Sequence, residues 1–278
     1  MRARVVLVVA TLLATWAAAI AAQAQPTRED LCEPWHIAPL RAARPGEIVL
    51  PVIVHHMKST KHSNKIWNVF TERIVTAYFR GEGTIRTIWR PAGVQLFLHR
   101  IERCQYDPVT MTGQSRNQPE ELPDPTAGAD GPTMFRRVGD FYNYDRVRGL
   151  DLYLWWEIGG RFIGYARPYE LSDGTRTTGG VWVDRQCVQS EEAAPKCERL
   201  IAHEIGHFLG LCHRCRVTGD AATPCTACVG HRIPDCSSRR AEPLFIMRSR
   251  FDGTKLDGCE IERATAQARD RIKGNTRP

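Results

Sequence analysis

Residues 203 to 213 read His-Glu-Ile-Gly-His-Phe-Leu-Gly-Leu-Cys-His. His203 and His207 are four positions apart, so a helix presents both imidazoles on one face. Two imidazoles so placed can bind one Zn²⁺. Glu204 follows the first of them and can reach a water at such a metal without taking a coordination position, as a general base must. Gly210 can adopt positive φ and end the helix, after which the chain turns and delivers His213 as a third ligand. Three protein ligands leave a fourth position for water, which marks a catalytic zinc rather than a structural one. The chemistry expected is hydrolysis, with the metal acidifying the water and polarising a carbonyl while Glu204 takes the proton and passes it to the leaving group. The plain alternative is an amphipathic helix whose histidines are only hydrogen-bonded. The third histidine and the glutamate at this spacing argue against it.

The elements that would position these residues follow from periodicity. Residues 196–209 form the clearest helical pattern, with Ile201, Ile205 and Phe208 on one face. Upstream, 47–55 is β-branched and reads as a strand, and 94–101 alternates as a second. Residues 64–80 carry apolar side chains at helical spacing, Gly81 and Gly83 punctuate the chain, and 85–90 resumes a helix. Residues 135–148 read as a short helix, 150–156, 162–166 and 180–184 as strands, and 260–272 as a final polar helix. The expected fold class is α+β: a twisted mixed sheet with an active-site helix and an irregular cysteine-rich C-terminal subdomain. The expected catalytic domain runs over 46–278, after an irregular lead-in at 25–45 that contains Pro26, Pro34, Pro39 and Pro45. Within it, 105–133 is a long loop insertion and 211–246 a cysteine-rich segment.

The N-terminus begins Met1-Arg2-Ala3-Arg4, stays largely apolar to Ala22, and offers Ala22-Gln23-Ala24 as a small-x-small cleavage site. This pattern predicts a signal peptide over 1–24 and a secreted or periplasmic chain. The alternative is an uncleaved anchor, since the apolar stretch nearly reaches spanning length. No stable membrane insertion is expected after cleavage. About 250 residues remain, enough for one large domain. The formal charge of +7 falls to +5 without Arg2 and Arg4. Its basic residues are scattered among acidic ones, which excludes a nucleic-acid footprint. The expected partner is a protein or peptide substrate, and the chain is expected to be a monomer.

All ten cysteines follow the cleavage site. An even count in an exported chain favours disulfides. Cys212, Cys215, Cys225 and Cys228, with His231 and Cys236 nearby, form two Cys-x-x-Cys units that could instead hold a second, structural zinc. Export favours disulfides over that site. Cys32 is likewise expected to pair rather than to block the catalytic zinc. His55, His56, His62 and His99 form a loose cluster without ligand spacing, and are read as strand-end or surface histidines rather than a second metal site. Trp155 and Trp156 are read as packing residues.

The run His203-Glu204-x-x-His207-x-x-Gly210-x-x-His213 resembles the metzincin clan of zinc metallopeptidases. Pro243-Leu244-Phe245-Ile246-Met247-Arg248-Ser249 resembles the methionine turn of that clan, with Met247 34 positions after His213. Ile246-Met247-Arg248 and Cys259, which opens the last helix, are similar to the reprolysin (adamalysin) branch, although Arg214 stands where that branch usually has aspartate. The archaemetzincins, which add a cysteine-bound zinc, differ in cysteine spacing. The resemblance implies a zinc endopeptidase with His203, His207 and His213 as ligands, Glu204 as base, and Met247 packed beneath the metal. It also makes residues 179–184 a candidate for the edge strand that pairs with an extended peptide. The alternative there is an interior strand. The competing function is a catalytically inactive metzincin-like secreted binding domain. Glu204 separates the two, since a binding domain has no need of a base beside an open zinc position.

Overall fold

The computed structural model describes residues 26–58, 71–80, 84–106, 122, 125, 130–143, 147–159, 163–167, 179–188, 194–211, 247, 255–256 and 258–273. In chain order the elements are α1 (Arg28–Leu31), β1 (Cys32–Ile37), β2 (Ile48–Lys58), α2 (Glu72–Phe79), α3 (Thr84–Trp89), β3 (Val94–Gln105), α4 (Asp130–Tyr142), β4 (Leu150–Trp155), β5 (Gly164–Arg167), β6 (Gly180–Asp184), α5 (Ala194–Phe208) and α6 (Gly258–Arg271). The predicted signal peptide, His62 and almost all of the cysteine-rich segment lie outside the described residues.

The six strands form one mixed sheet in the order β1-β3-β2-β4-β6-β5. β2 pairs in parallel with β3 and β4, and β4 in parallel with β6; the two outermost strands, β1 and β5, run antiparallel to their neighbours. The expected mixed sheet is therefore present. β4 and β6 are buried throughout and β2 up to Lys58, which fits central strands covered on both faces.

Alternation decides what each face meets. Leu50, Val52 and Val54 of β2, Leu152 and Leu154 of β4, and Val181 and Val183 of β6 share one cluster with Ile201, Ile205 and Phe208 of α5 and Ala264 and Ala268 of α6. Met57, Tyr153, Trp155 and Trp182 point the other way, into a second cluster with Phe135, Val138 and Tyr142 of α4. Trp155 and Trp156 are both buried, one in each cluster, as packing residues should be. Truncating a residue such as Ile205, fully buried at 0% exposure, would cost about 2–5 kcal/mol.

The lead-in at 25–45 corrects the sequence reading. Thr27 caps α1, its backbone N–H and hydroxyl both donating to Asp30 at 2.8 and 2.7 Å. β1 then pairs with β3, and Cys32 is bonded to Cys104 directly opposite it. Prolines concealed the strand, but one edge strand tolerates a proline where its nitrogen faces outward, and the pairing is specified 72 residues away. Helix α4 likewise starts at Asp130, inside the expected loop 105–133, and Leu122 makes a bridge to Ile158.

His55 and His56 are fully buried in β2 rather than at a surface or strand end. His55 Nε2 lies 2.7 Å from Asp151 Oδ1 and its Nδ1 lies 3.4 Å from Glu102 Oε2. Arg28 and Arg100 also pair with Glu102, and Arg271 reaches Asp151 at 3.7 Å. Burial alone would lower the His55 pKa, but its carboxylate partners raise it above the ordinary value. Burial would raise Glu102; His55, Arg28 and Arg100 overcome that and hold it down at about 2. This paired network joins the N-terminal turn, three strands and the last helix, since an unpaired buried charge would be costly. His99 Nδ1 meets the Ala38 carbonyl at 2.7 Å.

Candidate active site and metal centre

Helix α5 runs beneath β5 and β6 with its apolar face on the sheet. Its start is tied down by a disulfide from Cys197 to Cys187, in the 3-10 turn that follows β6. Among the described residues no cysteine is free, which agrees with the disulfide expectation for Cys32, Cys104, Cys187 and Cys197.

His203 and His207 lie on one face of α5, their ring centroids 4.8 Å apart and the rings nearly perpendicular at 87°. His203 is buried and His207 partly exposed. His207 Nδ1 lies 2.9 Å from the Leu211 carbonyl. A carbonyl only accepts, so Nδ1 carries the proton and Nε2 keeps its lone pair. This is the arrangement that orients a metal-ligating imidazole.

The end of α5 shows why the chain turns there. Leu211 N–H donates to the Gly206 carbonyl at 2.8 Å and Gly210 N–H to that of His207 at 2.9 Å. Gly210 has φ 75°. Together these make a Schellman ending, with glycine at the left-handed position. The chain leaves toward residue 213, and His213 itself lies outside the described residues.

Two further glycines bring other groups against the motif. A side chain at Gly206 would collide with the sulfur of Met247, which is fully buried. Met247 thus packs on the helix at Gly206, directly before His207. A Cβ at Gly164, the first residue of β5, would meet Glu204 Cγ and Oε1 at 3.0 Å. The backbone of β5 therefore backs the Glu204 carboxyl. Burial pushes that carboxyl up to about 8; a cation at the neighbouring imidazoles would lower it. Sequence reading missed Gly164 and Gly206. A glycine inside a strand pattern is a signal of close approach, and Gly164 had it.

The strand expectation for 179–184 is corrected. Gly180–Asp184 is β6, held between β4 and β5. The outer strand beside α5 is β5, four residues long. The run Val181-Trp182-Val183, buried on both faces, carried the interior signal.

The donor set fits zinc. Two imidazoles sit on one helix face, one with its tautomer fixed by a carbonyl, and a carboxyl adjoins them without being part of the pair. Cys32, Cys104 and Glu102 also bring donor atoms within 4.8 Å of one another. Those two sulfurs are bonded to each other, so that group does not fit a metal.

No protein-family model matches the chain, and no curated protein matches it by sequence. Among solved structures, it is similar to mirolysin in complex with a small compound, at 15% identity and TM-score 0.50 over 84% of this chain and 99% of that one. It is also similar to mature mirolysin of Tannerella forsythia in complex with a cleaved peptide, at 15% identity and TM-score 0.46 over 82% and 98%. The chain therefore shares its fold with mirolysin.

Proposed function

We propose that the chain is a secreted zinc-dependent endopeptidase. The observation that carries the reading is the joint placement of His203, Glu204 and His207, with the Gly210 turn sending the chain on toward His213. In this reading His203, His207 and His213 hold one Zn²⁺ and Glu204 is the general base. When bound, the zinc supplies Lewis acidity to water and to the scissile carbonyl.

The chain's own residues do the rest. Glu204, backed by Gly164 and shielded from solvent, accepts a proton from the attacking water and returns one to the leaving amine. His207 keeps its Nε2 lone pair because Leu211 holds the proton at Nδ1. β5, the outer strand among the described residues, is the one that would pair with an extended peptide. Met247 packs under the helix and fixes its height. The turn Ile246-Met247-Arg248 supports a reprolysin-like member of the clan. The intact Glu204 favours this activity over an inactive binding domain. The basic start and Ala22-Gln23-Ala24 site support export, with cysteines 212, 215, 225 and 228 in disulfides rather than on a second zinc.

The test is hydrolysis of a generic unfolded protein by the purified mature chain, with and without a chelator. Chelator-sensitive internal cleavage restored by zinc is the expected result. Zinc binding without any cleavage would favour the binding-domain reading.

A further inference from the structure

We propose that Arg263, on helix α6, is a positioning residue that holds the Gly210–Leu211 turn at the end of α5 and so sets the affinity of the histidine site for zinc. This rests on the zinc-peptidase reading above.

Arg263 Nε donates to the Gly210 carbonyl at 2.5 Å. The Schellman bonds satisfy the carbonyls of Gly206 and His207. The Gly210 carbonyl lies beyond them, at the end where helices leave acceptors to be met by other groups. A Cβ on Gly210 would lie 3.2 Å from both Nε and Nη2 of Arg263. The guanidinium therefore occupies the space a side chain would need. Glycine is required at 210 for its φ of 75°, and a side chain there would press on Arg263.

The next carbonyl along the chain, that of Leu211, takes the His207 Nδ1 proton. Two successive carbonyls are thus held, that of Gly210 by a distant helix and that of Leu211 by His207. His213 follows two residues later. A turn free to rotate at Gly210 would release both the Leu211 carbonyl that orients His207 and the approach of the third ligand.

The support behind Arg263 is stiff. Ala264 and Ala268 are fully buried in the main core. Thr265 Oγ1 donates to the Ala92 carbonyl at 2.8 Å and Arg271 Nε to the Gly149 carbonyl at 2.7 Å. Helix α6 is consequently pinned to the sheet below the site, and Arg263 transmits that fixed position to the ligand turn. A planar, permanently charged donor suits this task better than a flexible ammonium.

The experiment uses the mature full chain and its Arg263→Ala, Arg263→Lys and Arg263→Gln variants. Zinc affinity is measured by competition with a chromophoric chelator, alongside the metal-free unfolding midpoint and kcat/KM at saturating zinc. We expect Arg263→Ala to bind zinc about 10–100-fold more weakly, the usual effect of removing an outer support of a metal site. Arg263→Lys should recover part of the loss, and saturating zinc should restore activity. Zinc affinity within about twofold of wild type in the alanine variant overturns the proposal. If that variant does not fold, the lysine and glutamine variants carry the same test, and wild-type affinity in both overturns it. A wild-type chain that binds no zinc instead overturns the peptidase reading, a distinguishable failure.

Discussion

The sulfur of Met247 lies against the bare α-carbon of Gly206, the residue directly before His207. The helix that carries both imidazoles therefore rests on the Met247 side chain. Gly206→Ala places a methyl where that sulfur sits. Overpacking of this kind costs about 1–3 kcal/mol, and here it tilts the helix. The expected outcome is a lower unfolding midpoint in denaturant and weaker zinc binding together. Met247→Leu, nearly volume-conserving, should fold and keep much of its activity; complete loss of zinc binding would show that Met247 does more than pack.

Glu204→Gln should abolish peptide hydrolysis while one zinc stays bound. Loss of a positioned general base removes about 10²–10⁴-fold. Metal analysis beside kcat/KM decides the matter. A variant lacking both metal and activity would make Glu204 a ligand, and near-wild-type turnover would remove it from the mechanism.

His213→Ala should cost most of the zinc affinity, because only three protein residues are assigned to the metal. Full occupancy and activity in that variant would move the third ligand elsewhere, with His231 the first to test.

The buried network around His55 predicts a specific pH dependence of stability. The Glu102 pKa is held down at about 2 against an ordinary 4.5. Its contribution is therefore present above pH 4.5 and lost as pH falls toward 2. The pKa of His55 is raised above 6.5, so its contribution is full below that value and lost as pH rises through the folded pKa. Both are complete between 4.5 and 6.5. Unfolding free energies measured across pH should show wild type losing stability on the alkaline side relative to His55→Gln. Parallel curves for the two proteins would remove His55 from the balance.

Metal stoichiometry and thiol counting on protein from an oxidising compartment should give one zinc per chain and no reactive thiol. Two zincs, with four thiols reactive only after denaturation and chelation, would place a second metal on Cys212, Cys215, Cys225 and Cys228.

Local pattern carried much of the fold. Ile201, Ile205 and Phe208 marked α5 to within two residues of Ala194–Phe208, because one helix face meets the sheet. The runs at 150–156 and 180–184 gave β4 and β6 for a similar reason: their residues are buried on both faces. β1 was not legible, since Cys32-Glu33-Pro34-Trp35-His36-Ile37 becomes a strand through β3 and a distant cysteine. The placement of His203 and His207 on one face of α5 was readable from their spacing. The backing of Glu204 by Gly164 was not, nor the grip of Arg263 on Gly210, because each joins segments whose proximity depends on the sheet order. His55 misled as a loose cluster member; its partners Glu102 and Asp151 lie on two other strands.

The two margins of the sheet are unequal. β1 carries a proline, a register break between Pro34 and His36, and a covalent tie to its neighbour, all of which discourage another strand from docking. β5 has no proline, register break or disulfide among the described residues and begins beside Glu204. A second copy of the chain that docks there by strand addition would cover the strand that backs Glu204. On the proposed peptidase reading, the specific activity of a concentrated preparation should fall with concentration and return on dilution, unaccompanied by unfolding.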